Sequence, residues 1–317
     1  MAKPAQPEPE KLSRGDAHGA GLSEVRSPAV NAQLTAGPRA RVEVGDWLAL
    51  AATLEAQSVD FVYADIPFGT GRVHRTPAGA NRVASRVASR EGGGAGGADA
   101  ASFDDRFAGP AELAAWLRAR LVVTLPAVRD SGLVAIHCDW RACAHVRLLL
   151  DELLGPAAFV NHLIWSYGLG GSSPRGFARK HDDILLFARR AGAHWFEAPR
   201  VPATSARLRG QSKKMTDVLA IPAINNMAAE RTGYPTQKPL ALLEVLVGAC
   251  CPPGGVVLDP CCGSGTSLVA AARLGRDAVG FDVSKRAAQI ARERLWAART
   301  ADRGLLNVGP MARPGTR

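Results

Sequence analysis

The sequence predicts an α/β fold built on a mostly parallel sheet, and three observations carry that prediction. Strands and helices alternate regularly through the last hundred residues, the pattern of consecutive βαβ units. Several apolar strand-like runs stop on an aspartate: Val59–Ala64 on Asp65, Leu133–Cys138 on Asp139, Val256–Leu258 on Asp259 and Ala278–Phe281 on Asp282. A glycine-containing loop, Gly263-Ser264-Gly265-Thr266, joins one of these strands to the next helix. Loops at strand carboxyl ends are where open α/β sheets bind ligands.

The elements follow in order. Arg41–Val44 reads as a short strand running into Gly45-Asp46, and a helix is expected from Trp47 to about Ala56. Val59–Ala64, apolar apart from Asp60, reads as a buried strand. Residues 69–101 have no periodicity, carry five arginines from Arg72 to Arg90 and contain the run Gly92-Gly93-Gly94-Ala95-Gly96-Gly97. They are expected to form a long mobile basic loop. A helix at about 110–128, a strand at 133–138 and a helix at about 141–154 come next, then strands at 162–167 and 183–188. Residues 190–233 show no clear period. Helices at about 239–251, 267–274 and 284–299 alternate with strands 256–259 and 278–281. Residues 1–40 and 301–317 read as disordered tails around a catalytic domain at 41–300.

Composition narrows the function classes. The 317 residues are 47% hydrophobic and 21% charged, a globular balance, and the net charge is +10. That surplus suits a polyanion, nucleic acid before an anionic membrane, although solvated basic faces give the same count. No apolar run reaches the length of a membrane span and no secretory leader is recognisable, so a cytoplasmic protein without membrane association is expected. The six cysteines include the adjacent pairs Cys250-Cys251 and Cys261-Cys262. Neighbouring cysteines do not readily face one tetrahedral ion, and no CxxC or matching histidine spacing occurs, so no metal is expected.

Two segments carry chemistry. The loop after Asp259 lacks the third glycine of a dinucleotide fingerprint, because the matching position is Leu268. An acidic strand end beside it suits a ligand bearing an amino group better than a pyrophosphate. Asp282, ending the next strand, stands where an acid accepts ribose hydroxyls, although it could also cap the following helix, a role Ser284 can fill. An NAD-binding site is the standard rival. The second segment is Asp65-Ile66-Pro67-Phe68: Asp65 is an acceptor, Pro67 a stiffener and Phe68 a flat ring, the parts needed to grip an extruded base. Taken alone, it also fits a strand end entering a turn.

Together these segments resemble the β group of N6-adenine/N4-cytosine DNA methyltransferases. In that family a D-P-P-Y/F tetrapeptide precedes the S-adenosylmethionine loop, the order of Asp65-Ile66-Pro67-Phe68 and Gly263-Ser264-Gly265-Thr266 here. Arg231-Thr232-Gly233-Tyr234-Pro235-Thr236-Gln237-Lys238-Pro239 resembles the family's lead into the helix beside the cofactor. Residues 148–152 and 177–182 resemble further family stretches, so the likeness covers about 41–298. It implies a circularly permuted, Rossmann-like methyltransferase sheet of seven strands with helices on both faces. It also implies S-adenosylmethionine as cofactor, held by Asp259, Gly263, Gly265, Thr266 and Asp282. Thr236, Gln237 and Lys238 would close the pocket. Asp46 has two readings, adenine contact or helix cap. Asp65, Ile66, Pro67 and Phe68 become the catalytic residues, with Ile66 replacing the family's first proline and contributing only its carbonyl.

The implied partner is double-stranded DNA, met by the 69–101 loop and a target-recognition insertion at about 168–230. A separate restriction endonuclease is a candidate partner, and the protein is expected to be a monomer or homodimer. The leading Asp leans towards adenine N6 over cytosine N4. An RNA methyltransferase and a catalytically silent DNA-binding relative stand as alternatives.

Overall fold

A computed structural model describes residues 38–69, 73–75, 102–168, 172, 174–225 and 227–305. Much of the expected basic loop and most of both expected tails lie outside the described residues. The elements in chain order are β1 (Ala40–Val44), α1 (Trp47–Ala51), β2 (Val59–Asp65), β3 (Val73–Arg75), β4 (Ser102–Asp104), α2 (Pro110–Thr124), β5 (Val128–Cys138), α3 (Cys143–Leu154), β6 (Phe159–Ser166) and β7 (His181–Ala188). They continue with β8 (Arg200–Pro202), β9 (Ser212–Lys214), β10 (Val218–Ala220), α4 (Leu240–Cys250), β11 (Val256–Asp259), α5 (Thr266–Arg273), β12 (Asp277–Asp282) and α6 (Lys285–Leu305).

The main sheet has eight strands in the order β1-β12-β11-β2-β5-β7-β6-β10. The first five run parallel to one another, and β7 is antiparallel to both its neighbours. Seven strands were expected. The eighth, β10, lies in the segment that shows no period, because three residues are too few to display strand alternation. It pairs parallel with β6 at Val218–Ala220. Two further ladders, β3–β4 and β8–β9, also fall in segments expected to be irregular.

Alternate residues of each central strand feed two cores, one on either face. Phe61, Tyr63, Leu133, Ala135, Ile184 and Leu186 join the core under α4 and α5. Val62, Ala64, Val134, Ile136, Leu185 and Phe187 join the core under α2 and α3. Sheets covered on both faces need apolar residues at successive positions, which is why these runs do not alternate with polar residues.

Among the boundaries that differ from expectation, two have local reasons. The first helix stops at Ala51 instead of Ala56, where Thr53 Oγ1 donates to the Leu50 carbonyl and Gln57 takes a positive φ of 53°. Helix α2 stops before Leu125-Pro126, since proline cannot continue the helical hydrogen bonds. At the end of the chain, α6 runs on to Leu305, past the expected boundary near Arg299.

The permuted order has one consequence for function. Strands β1, β12, β11 and β2 are parallel neighbours, so their carboxyl ends line one edge of the sheet. That edge brings together Asp46, Asp282, Asp259 and Asp65, which the sequence spreads over more than two hundred residues.

Candidate active site

These four acids line one cleft of about 390 Å³, together with Ile66, Pro67, Phe68, Thr236, Gln237, Lys238, Gly263 and Thr266. All the residues expected at the catalytic and cofactor sites therefore meet in one place, except Gly265, which lies behind the cleft wall. Gly265 has φ 74°, and a Cβ there would sit 2.7 Å from the Ala291 Cβ of α6. Its role is close packing of the loop against α6. Gly263 has φ 49°, and a Cβ there would press on the Tyr234 ring at 3.0 Å. Both positions need glycine to reach the left-handed region without strain.

Asp259 is 3% exposed. Its Oδ1 accepts from the Cys261 N–H at 3.1 Å, and its Oδ2 accepts a short bond from the Ser267 hydroxyl. Burial raises its pKa to about 7; Ser267 and Cys261 oppose the shift, while the Asp65 and Asp282 carboxylates add to it. Asp282 is also raised by burial, against hydrogen bonds from the Ser284 and Gly263 N–H groups at 2.8 and 2.9 Å. Asp282 thus braces the glycine loop. The α6 cap itself is Ser284, whose Oγ accepts from the Ala287 N–H.

From behind, Arg294 fixes the loop by donating to the Ser264 carbonyl and Thr266 hydroxyl, each at 2.8 Å. Burial lowers its pKa to about 10. At the far end of the cleft, Asp46 caps a helix and also lines the cleft. Its Oδ1 accepts from the Leu48 N–H and caps α1, while its Oδ2 pairs with Arg120 at 2.8 Å and the residue lines the cleft. The Arg120 guanidinium lies over the Trp116 ring at 4.1 Å, giving that end an aromatic wall.

The catalytic end differs from expectation in one respect. Lys238 was grouped with the cofactor residues, but its Nζ donates to both Asp65 oxygens, at 2.7 and 2.6 Å. The same Nζ stands 5.0 Å from the centre of the Phe68 ring. Gln237 turns back into its own loop, where its Oε1 accepts from the Thr232 N–H and hydroxyl and its Nε2 donates to the Glu230 carbonyl. That loop is what sets Lys238 at the start of α4.

Behind Asp65 lies a buried polar chain that motif reading missed. His137, fully buried on β5, hydrogen-bonds the Tyr63 hydroxyl through Nδ1 at 2.7 Å and meets Asp182 through Nε2 at 3.4 Å. Asp182 also accepts from the Tyr167 hydroxyl at 2.9 Å. A carboxylate only accepts, so this pattern places the imidazole proton on Nε2 and leaves Nδ1 to accept from Tyr63. Burial, reinforced by Asp65, Asp259 and Asp182, pushes the Tyr63 hydroxyl well above its ordinary range and keeps it a neutral donor. The one sequence sign of this chain was a histidine in an otherwise apolar strand run.

Beside Phe68 a second hollow of about 200 Å³ is lined by Phe107, Leu113, Trp140 and Arg141. Trp140 is 48% exposed, with the Arg179 guanidinium 4.1 Å above its ring.

A twisted, mostly parallel sheet with a glycine loop and acidic strand ends at its carboxyl edge defines a Rossmann-like methyltransferase fold. Residues 59–293 match the model of the N6/N4 methyltransferase family, described as DNA methylase, and the chain belongs to that family. It is 30% identical over 181 residues to the Type II methyltransferase M.ScaI of Streptomyces caespitosus, covering 52% of this chain and 59% of that relative. This chain therefore spans little more than half the length of that relative. Among solved structures, the PvuII DNA methyltransferase (cytosine-N4-specific) aligns with TM-score 0.58 and 14% identity, covering 86% of this chain and 94% of the other. The M1.HpyAVI–SAM complex aligns with TM-score 0.52 and 21% identity, covering 81% and 98%. At these identities the two structures speak for the fold.

Proposed function

We propose that the protein methylates the exocyclic amino group of a base in double-stranded DNA, with N6 of adenine preferred, using S-adenosylmethionine. One observation carries the reading: the Asp65 carboxylate opens into the same cleft as Asp259 and Asp282. Asp259 and Asp282 accept only neutral N–H and O–H donors in this partly desolvated cleft, whereas Asp65 already has Lys238. This suits a ligand bearing a sulfonium and an ammonium group and repels the pyrophosphate of NAD. Asp259 has neutral donors on both oxygens, the Cys261 N–H and the Ser267 hydroxyl, which fits a ligand ammonium arriving there. In this reading Asp282 takes the ribose, and the wall of Asp46, Arg120 and Trp116 takes the adenine.

When bound, the cofactor supplies an electrophilic methyl group. The residues of the chain must make a poorly nucleophilic amine reactive. Asp65 and the Ile66 carbonyl accept its two hydrogens, which draws the nitrogen lone pair out of the ring. Phe68 stacks on the base, and orientation in a dry site supplies much of the rate. Asp65 takes the proton that the nitrogen sheds after methylation, so no covalent enzyme intermediate is needed. Because Lys238 occupies both Asp65 oxygens, it must yield at least one of them when the base enters.

The hollow at Phe68 and the exposed Trp140, with Arg141 and Arg179 beside it, face the side from which a flipped base would come. Arginines there and in the 168–230 insertion would contact phosphates. The preference for adenine rests on the leading Asp of the tetrapeptide; cytosine N4 is the second reading, and PvuII has the same fold. Transfer of labelled methyl groups to duplex DNA, followed by nucleoside analysis, tests all parts together. Label in N6-methyladenine is expected, label in N4-methylcytosine moves the assignment to the second reading, and label only in RNA overturns it. Duplex affinity is expected to fall steeply with added salt, as counterion release requires.

A further inference from the structure

Outside the cleft, one group of metal-ligating side chains among the described residues lies close together. Cys143 Sγ, at the first residue of α3, His162 Nε2 on β6 and Asp183 Oδ1 on β7 all lie within 4.8 Å of one another. Sγ and Nε2 are 3.7 Å apart, and Nε2 and Oδ1 are 2.7 Å apart. Asp183 is 6% exposed and His162 40%, so the group is walled on the protein side and reachable from solvent.

The geometry separates two uses of a Cys-His-Asp group. A nucleophilic cysteine needs its base oriented by an acid on the other ring nitrogen. Here both the sulfur and the carboxylate face the same nitrogen, Nε2, so the imidazole cannot relay between them. Three different donors within 4.8 Å of one another offer instead a cation site with an open fourth position. Thiolate, imidazole and carboxylate together favour zinc over the hard cations, which prefer oxygen alone. Cys138 lies opposite Asp183 in the β5–β7 ladder, which places a second sulfur near the first. The nearby cation Arg147 is already engaged, donating to Asp151 at 2.9 Å and stacked on Phe159 at 3.7 Å.

We propose that Cys143, His162 and Asp183 bind one zinc ion, with water completing the coordination. Binding expels the thiol proton of Cys143, and the imidazole presents Nε2 unprotonated with its proton on Nδ1. The ion ties the start of α3 to the β6–β7 hairpin and takes no part in methyl transfer. The adjacent cysteine pairs that caught attention in the sequence are not involved; they lie on α4 and in the glycine loop.

The test uses the full chain, stripped with chelator and kept reduced by a phosphine, titrated with cobalt(II) and then zinc. One cobalt per chain with a sulfur-to-cobalt charge-transfer band is expected, bleached by zinc, together with a zinc-dependent rise in Tm. Cys143→Ser should abolish the band, while Cys261→Ser should leave it intact. His162→Ala, at the more exposed ligand, should weaken zinc binding by roughly tenfold or more, since losing even a partner of a ligand costs that much. It also serves as the test if Cys143→Ser fails to fold. No thiolate band in the folded wild-type chain would overturn the proposal and leave a His162–Asp183 ion pair only. Wild-type zinc affinity in His162→Ala would overturn it equally.

Discussion

Asp65 and Asp259 end neighbouring parallel strands of one sheet and open into one cleft, yet they are held in opposite ways. The Asp65 side chain is 18% exposed and is gripped through both oxygens by the Lys238 ammonium. Asp259 is deeper, receives only neutral donors, and is pushed up to about 7 chiefly by burial. The strand position sets where each carboxylate stands, and the surroundings set what each can do. A charge-paired acid is ready to accept an amine once its lysine swings aside. An uncompensated buried acid gains most from a ligand that brings its own cation. Under the proposed function, the base would take the Asp65 end of the cleft and the ammonium of the cofactor the Asp259 end.

The hardest test of that division is Asp65→Ala. Methyl transfer should fall by roughly 10²–10³-fold or more, the scale for removing a group that stabilises a transition state. Cofactor affinity by calorimetry should change little. A parallel collapse of cofactor binding would erase the distinction between the two acids.

Next in size is Lys238→Met, which leaves Asp65 unpaired among other carboxylates. Breaking a largely buried pair from one side should cost about 3 kcal/mol in denaturant unfolding. The double variant with Asp65→Asn should recover most of that loss, because the stranded charge is then gone. If the single and double variants unfold alike, the contact between Lys238 and Asp65 contributes nothing measurable.

Gly265→Ala strikes the Asp259 end alone. It places a Cβ against Ala291 at a backbone φ of 74° and should destabilise the fold by about 2 kcal/mol. It should weaken cofactor binding more than duplex binding; the reverse order would argue that the loop serves the DNA.

The smallest and most diagnostic effect is on pH. Asp259 without ligand has a folded pKa of about 7, above its unfolded value, so the free protein holds an extra proton below neutrality. A cofactor ammonium would lower that pKa and expel the proton. Binding should therefore tighten as pH rises, by up to about tenfold per unit, up to the free-state value and level off above it. The same proton makes the unliganded fold lose stability as pH rises from the unfolded carboxylate range towards 7. Calorimetry in buffers of different ionisation enthalpy reads the proton directly. Asp259→Asn should flatten the profile, and an unchanged profile would place the titrating group elsewhere.

Much of this was legible before any coordinates. The strands ending on Asp65, Asp259 and Asp282, the glycine loop and the permuted order of the motifs are local patterns of one or two elements. Local patterns survive in sequence because backbone geometry imposes them residue by residue. Segment 190–233 was opaque for the converse reason: strands of three residues draw their stability from partners distant in sequence, as β10 does from β6. The pairing of Lys238 with Asp65 was not legible in the sequence, since the reach of its four-carbon stem is decided by the loop that Gln237 and Thr232 fix.

By itself, then, the sequence determined the elements, the acids that end them and the loop that turns on Gly263 and Gly265. Tertiary structure decided which acids share a cleft, which of them is paired, and that Tyr63, His137 and Asp182 form a chain behind Asp65. It also brought Cys143, His162 and Asp183 close together from three separate elements. The reason is physical: secondary structure answers to near neighbours, whereas charge pairing, desolvation and ligand geometry depend on distances that only the packed sheet sets.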